Sequence, residues 1–106
     1  MRFFYNKKIE TYLEKPNGDW LIFGLTIFEF KAMPYIRIEA EQQTALKVYY
    51  YNVFGEKIFE ENLVIDPEMG YGYPYIPEGA TALEILHNKE LFPTYIPVTL
   101  YIIAET

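Results

Sequence analysis

The chain contains no cysteine and no serine, and one histidine among its 106 residues. Each absence closes off chemistry. Without cysteine there is no disulfide framework and no CxxC redox site. Without serine or cysteine, no Ser-His-Asp or Cys-His nucleophilic centre can be assembled. A single histidine cannot supply the several nitrogen or sulfur ligands of a zinc site, so no metal and no cofactor is expected. That residue, His87, ends an expected strand beside Asn88 and Lys89 and reads as an exposed loop residue. Cationic charge is also scarce. Nine Lys and Arg face fifteen Asp and Glu, for a net charge of −6, and no basic run exceeds Lys7-Lys8. Nucleic-acid binders draw most of their affinity from phosphate contacts, so this balance argues against nucleic acid as a partner. An acidic surface is likewise repelled by anionic membranes. The longest apolar run, residues 20–28, is broken by Gly24 and Thr26 and falls far short of the ~20 residues of a spanning helix. Residues 1–8 show no secretory leader, which leaves virion and cytoplasm as the expected settings.

What the chain has in excess is aromatic side chains: twenty, of which eleven are tyrosine. Tyrosine couples an apolar ring to a polar tip, which suits strands, half-wet surfaces and binding faces. Turn residues punctuate the chain at short intervals, and the intervening segments favour strands. Residues 8–14 alternate, with Ile9, Thr11 and Leu13 on one face. Pro16-Asn17-Gly18-Asp19 is a hairpin signal, because both Asn and Gly tolerate positive φ. Residues 20–30 form a long strand with two apolar faces, and Gly24 is the candidate bulge or bend. Residues 34–41 alternate, with Ile36, Ile38 and Ala40 opposite Tyr35, Arg37 and Glu39. In residues 45–51, Leu46, Val48 and Tyr50 share one face, and Lys47, Tyr49 and Tyr51 the other. Asn52-Val53-Phe54-Gly55 reads as a type I turn with Gly55 left-handed. Residues 57–65 return antiparallel, and 66–79 form a long Gly- and Pro-rich loop. Residues 80–87 and 95–105 supply the last strands, with Leu83, Ile85, Val98, Leu100 and Ile102 inward. No segment longer than about ten residues has a helical period. The expected architecture is one all-β domain over residues 1–106, an antiparallel sandwich of about eight strands, jelly-roll or immunoglobulin-like.

Two stretches, Leu46-Lys47-Val48-Tyr49-Tyr50-Tyr51-Asn52-Val53-Phe54-Gly55-Glu56-Lys57-Ile58 and Tyr75-Ile76-Pro77-Glu78-Gly79-Ala80-Thr81-Ala82-Leu83-Glu84-Ile85, resemble a pattern in jelly-roll modules of the carbohydrate-binding type. Such modules occur in bacteriophage tail and baseplate proteins and in bacterial surface proteins. The resemblance covers about 40 of 106 residues. It is structural, resting on Gly55, Pro77, Gly79, Leu83 and Ile85. It implies the sandwich fold and a binding or assembly role, and it carries no catalytic residue.

Candidate sites follow from the aromatic clusters. Tyr71, Tyr73 and Tyr75 alternate with Gly72 and Pro74 in the long loop. Tyr49 and Tyr51 share a strand face with Lys47. Rings so placed stack on sugars or anchor protein interfaces, or else they cap the sandwich. Trp20, after the hairpin turn, reads as core. On residues 20–28, an outer face bearing Leu21, Phe23, Leu25 and Ile27 would need cover from a partner or a second copy, unless a bulge at Gly24 turns those residues inward. Among carboxylates, Glu60 and Glu61 point to opposite faces. Asp66-Pro67-Glu68 opens a loop that reads first as a solvated turn and second as a calcium site. The leading function is a non-enzymatic structural or interaction module of a phage tail or similar surface assembly, working through protein–protein contacts or homo-oligomerisation. Carbohydrate binding through tyrosine stacking is the alternative, and a carboxylate-based hydrolase a distant third.

Overall fold

The computed structural model describes all 106 residues, as eight strands and no helix. They are β1 (Arg2–Ile9), β2 (Leu13–Glu14), β3 (Trp20–Thr26), β4 (Tyr35–Ala40), β5 (Thr44–Tyr51), β6 (Lys57–Ile65), β7 (Ala82–His87) and β8 (Val98–Glu105). They form two antiparallel sheets, a three-stranded one ordered β1-β8-β4 and a five-stranded one ordered β2-β3-β7-β5-β6. The fold is therefore an all-β sandwich of eight strands.

The period-2 pattern places the core. On β5, Leu46, Val48 and Tyr50 point inward; on β7, Leu83 and Ile85. They meet Ile36 and Ile38 of β4 and Val98, Leu100 and Ile102 of β8 in one cluster of thirteen buried residues. Turn chemistry also follows sequence. Gly55 has φ of 79° and donates to the Asn52 carbonyl at 3.0 Å, so the β5–β6 turn is closed by the one residue without a Cβ penalty. In the β2–β3 hairpin only Gly18 has positive φ; Asn17 stays on the ordinary side and accepts the Asp19 N–H through its side chain.

Three expectations need correction. The strand expected at 8–14 is divided. Its first residues end β1, whose partner is the far C-terminus, with Arg2 opposite Glu105 and Ile9 opposite Val98. Leu13 lies exposed in the short β2. The bulge in β3 sits between Leu21 and Phe23, at Ile22 and not at Gly24. One extra residue there reverses the alternation. Ile22 and Ile27 enter the core, Phe23 and Leu25 pack against it, and only Leu21 of the four residues assigned outward lies across from Leu86 on the outer face. The outward patch of Leu21, Phe23, Leu25 and Ile27 is therefore not formed. His87, expected in an exposed loop, is buried. Its ring stacks on Trp20 at 5.5 Å and meets Tyr95 edge-on at 5.4 Å. Its Nε2 donates to the Phe92 carbonyl at 2.6 Å, which leaves Nδ1 to accept from Thr44 Oγ1 at 3.5 Å. Burial lowers the His87 pKa from its ordinary value, with the bond to Phe92 acting in the opposite sense.

The long loop is tied to the sandwich at one point. Gly72 and Ile38 exchange two backbone bonds, of 2.9 and 2.8 Å, so the loop lies against the open edge of β4. Gly72 is buried, and a Cβ on it would overlap Cδ1 of Ile65 and stand 3.2 Å from Leu63.

Gly72→Ala is expected to lower stability by about 1–3 kcal/mol, because Ile65 is enclosed and cannot step aside. Gly24→Ala, whose new Cβ would find no atom closer than 4.0 Å, is expected to change stability by no more than about 0.5 kcal/mol. Urea denaturation of both variants measures this, and equal losses would refute the close packing of Gly72 against Ile65. A depressed His87 pKa favours the neutral ring in the folded state. Its contribution is present above pH 6.5 and is lost as pH falls through the lower folded value. The wild type should therefore lose more stability on acidification below pH 6.5 than His87→Gln does.

Candidate functional site

The outer face of the three-stranded sheet carries the aromatic site. Cross-strand register alone sets its first row: Phe4 of β1 and Tyr35 of β4 both stand opposite Ile103 of β8. All three are exposed, at 64%, 48% and 43%. Side chains directly opposite on one face lie about 5 Å apart, so the three form a continuous stripe. The next row is Asn6, Tyr101 and Arg37, and the next Lys8, Thr99 and Glu39.

The Ile38–Gly72 bridge adds two more rings. With Gly72 turned to the core, the alternation Tyr71-Gly72-Tyr73 sends both tyrosines to the outer side, beside Arg37 and Glu39. Tyr73 lies 5.5 Å from Tyr35 between ring centroids and 5.0 Å from Tyr71. The Tyr35 and Tyr73 hydroxyls share a hydrogen bond of 3.1 Å, which raises the Tyr73 phenol above its usual range. The Arg37 guanidinium lies over Tyr101 at 4.7 Å and Tyr71 at 5.5 Å, and its Nη2 is 3.6 Å from Glu39 Oε1. The Nε–H of Arg37 is buried and has no acceptor. Beside this cluster runs a polar groove of about 360 Å³ lined by Lys8, Glu39, Glu41 and Tyr101.

Tyr75 does not join the cluster. Its ring is exposed, and its N–H donates to Glu61 Oε1 at 3.0 Å. The same oxygen accepts the buried Tyr50 hydroxyl at 2.7 Å. Glu61 thus ties the loop to β6.

Tyr49 and Tyr51 lie on the opposite side of the molecule, on the outer face of the five-stranded sheet, and their hydroxyls are engaged. Tyr51 donates to Glu84 Oε1 at 2.6 Å, and Lys15 Nζ reaches both Glu84 oxygens at 3.0 and 2.9 Å. Tyr49 donates to Asp19 at 3.4 Å, and Lys57 Nζ lies 4.2 Å from its ring centroid. Burial, then the Asp19 charge, pushes the Tyr49 phenol up to about 12. Burial and the Glu84 bond raise Tyr51 as well. A groove of about 500 Å³ runs along this face over Thr26, Ala82 and Glu84, between Phe28 and Val53. The two tyrosine groups are thus separate surfaces: one has its hydroxyls tied to carboxylates, and the other presents exposed rings joined to Tyr35 and Arg37.

Asp66 has structural partners. Asp66 Oδ1 accepts the Glu68 N–H at 3.0 Å, and the Asp66 carbonyl takes the Met69 and Gly70 amides, which closes a turn. No group of three or more His, Asp or Glu side chains gathers in metal-binding range. Trp20 is half-buried, stacked on Tyr12 at 4.2 Å.

Sequence reasoning missed Phe4, Tyr35, Arg37, Tyr101 and Ile103 as site members. The alternation of residues 34–41 already put Tyr35, Arg37 and Glu39 on one face. What it did not contain was the long-range register that lines that face up with Phe4, Ile103 and the Tyr71–Tyr73 loop. Comparison with protein-family models, curated proteins and solved structures finds no match to this chain.

The buried phenols have a measurable consequence. Tyr95, which donates to the Ile9 carbonyl at 2.8 Å, is also pushed up to about 12, chiefly by burial. A phenol whose folded pKa is raised stabilises fully below its ordinary value of 10, and that contribution disappears as pH climbs through about 12. Ultraviolet titration of phenolate should therefore show a late group that loses one member in Tyr49→Phe, coincident with alkaline unfolding. Titration of all the tyrosines together at the ordinary value would refute this.

Proposed function

We propose that the chain is a non-enzymatic interaction module whose contact surface is the outer face of the three-stranded sheet. The observation that carries this reading is the stripe Phe4–Ile103–Tyr35, continued by Tyr73 and Tyr71 and centred on Arg37. Contiguous exposed apolar surface on a small acidic domain marks a contact site, and Tyr and Arg are the residues enriched at the energetic centres of protein interfaces. Arg37 is already held between two rings, so little side-chain freedom is left to lose on docking. The resemblance of residues 46–58 and 75–85 to modules of phage tail, baseplate and bacterial surface proteins supports placing that contact in a multi-protein assembly.

The ring geometry favours a protein partner over a glycan. Tyr35 and Tyr73 are inclined by 55°, and Tyr71 and Tyr73 by 71°. Rings at these angles make knobs for a complementary surface, whereas a sugar chain stacks on a flat platform. A hydrolase reading has less support, since Glu61, Glu84 and Asp66 each hold a structural hydrogen bond.

Sedimentation velocity at micromolar concentration tests the reading. The wild type is expected to self-associate. Tyr73→Ala should weaken that association by about 2 kcal/mol, roughly thirtyfold, and Ile103→Glu should abolish it while preserving the strand signal in circular dichroism. A strictly monomeric wild type that binds a glycan array, with binding lost in Tyr73→Ala, would replace the protein contact with a carbohydrate one.

A further inference from the structure

The sandwich is open along one side, between β1 and β3. A sheet of three strands faces one of five. On the β4 side the loop at Gly72 closes the gap. On the β1 side only the connector of residues 10–12 crosses, beyond Ile9. The short β2 pairs only with Leu21 and Trp20, so β3 is a free edge beyond the bulge. In the seam between the two edges lie Phe3 and Tyr5 of β1, Phe23 and Leu25 of β3, and Phe30, all packed against the core and only half-buried. They touch across the layers, Tyr5 to Phe23 at 5.0 Å and Phe3 to Phe30 at 5.8 Å between ring centroids.

The backbone of β1 is open on the same side. The Thr106 N–H donates to the Met1 carbonyl at 2.8 Å, so the Met1–Thr106 pair is hydrogen-bonded. In an antiparallel ladder bonded pairs alternate with non-bonded ones. In the register of β1 and β8, Phe3, Tyr5 and Lys7 therefore bond to β8, and Arg2, Phe4, Asn6 and Lys8 turn their N–H and C=O groups to the free edge. No other part of the chain bonds to those four residues' backbones. The strand is eight residues long and lacks proline or a bulge, so its protection against pairing rests on its cations, among them the inward-pointing Lys7.

Its charge is also unlike the rest of the chain. Arg2, Lys7 and Lys8 stand on this one strand of a molecule whose net charge is −6. Lys8 lies 3.8 Å from both Glu10 and Glu41, whereas Arg2 and Lys7 take part in no ion pair. Two copies of β1 set side by side would bring six cations together, so the charge disfavours self-pairing.

We infer that β1 is the acceptor for an extended acidic segment of another protein, which adds to the three-stranded sheet as a fourth strand. Its backbone bonds to Arg2, Phe4, Asn6 and Lys8. Its apolar side chains, at alternate positions, cover Tyr5, Phe23 and Phe30 in the seam. Its carboxylates, at the intervening positions, meet Arg2 and Lys8 on the outer face, while Lys7 shares the inner face with Tyr5. Backbone bonds supply affinity in such strand addition, and the alternating side chains supply selectivity.

The test uses two labelled synthetic peptides of about eight residues, the length of β1: one alternating valine with glutamate, the other valine with lysine. Fluorescence anisotropy reads affinity, and amide hydrogen exchange by NMR reads position. The glutamate peptide should bind roughly tenfold or more tighter than the lysine peptide. It should slow exchange at Arg2, Phe4, Asn6 and Lys8, and leave Phe3, Tyr5 and Lys7 as they are. An Arg2→Glu/Lys8→Glu double variant should invert the preference. Asn6→Pro removes one N–H of the free edge without touching the β8 ladder, so it should lose the peptide while its β8 amides stay protected. Tyr73→Ala should bind the peptide normally, which separates this edge from the outer tyrosine face. Equal binding of both peptides, or unchanged exchange at the four amides, would overturn the inference. So would protection of those amides without peptide in a sample that sediments as a dimer, since a second copy would then occupy the edge.

Discussion

Everything in the three-stranded sheet depends on β8. β1 and β4 do not pair with each other; both pair with β8, which lies between them. Val98, Leu100, Ile102 and Ala104 of β8 are buried, and its outward residues Thr99, Tyr101 and Ile103 form the middle column of the outer face. The ladder with β1 joins Arg2 to Glu105, so nearly the whole chain is looped out between two paired residues. Loop-closure entropy grows only slowly with length, and a long ladder over an apolar face outweighs it. Pairing so distant in sequence is expected to slow folding.

The unequal sheets follow from how the chain divides its strands. A five-stranded layer presents more inner face than three strands can cover. The two flanks meet that mismatch differently. On the β4 side, the loop tucks Gly72 against Leu63 and Ile65, and Glu61 holds the next stretch through Tyr75. On the β1 side, aromatic rings fill what they can and stay half-wet. The ion pairs matter less. Lys8–Glu10, Lys8–Glu41 and Lys57–Glu60 are well exposed and contribute at most about 1 kcal/mol each. The Lys15–Glu84 pair, more enclosed and sharing its carboxylate with Tyr51, differs in that it fixes the orientation of a phenol.

How far local pattern reaches is plain from single residues. β5 was legible with its faces, and β6 as its antiparallel return, because Leu46/Val48/Tyr50 and Lys47/Tyr49/Tyr51 alternate and Gly55 marks the turn between them. β3 was legible as a strand, but its faces were not. A bulge at Ile22 depends on how β7 pairs, and no local signal distinguishes Ile22 from the apolar residues beside it. His87 looked like a loop residue because its neighbours are polar; its burial comes from Trp20 and Tyr95, which approach from elsewhere in the chain.

By itself the sequence determined composition, charge, period and turns. Those suffice for an all-β chain with inward Leu83, Ile85, Val98, Leu100 and Ile102, and for excluding nucleophile chemistry that needs serine or cysteine. Only the tertiary structure decided which tyrosines stand together and which face is left bare. Tyr71 and Tyr73 reach Tyr35 and Arg37 because Gly72 bonds to Ile38, and Phe4 reaches Tyr35 because both flank Ile103. The physical reason is register. Alternation states which residues share a face of one strand, but the neighbours across strands are set by pairings between distant segments, and these are resolved only when the whole core packs.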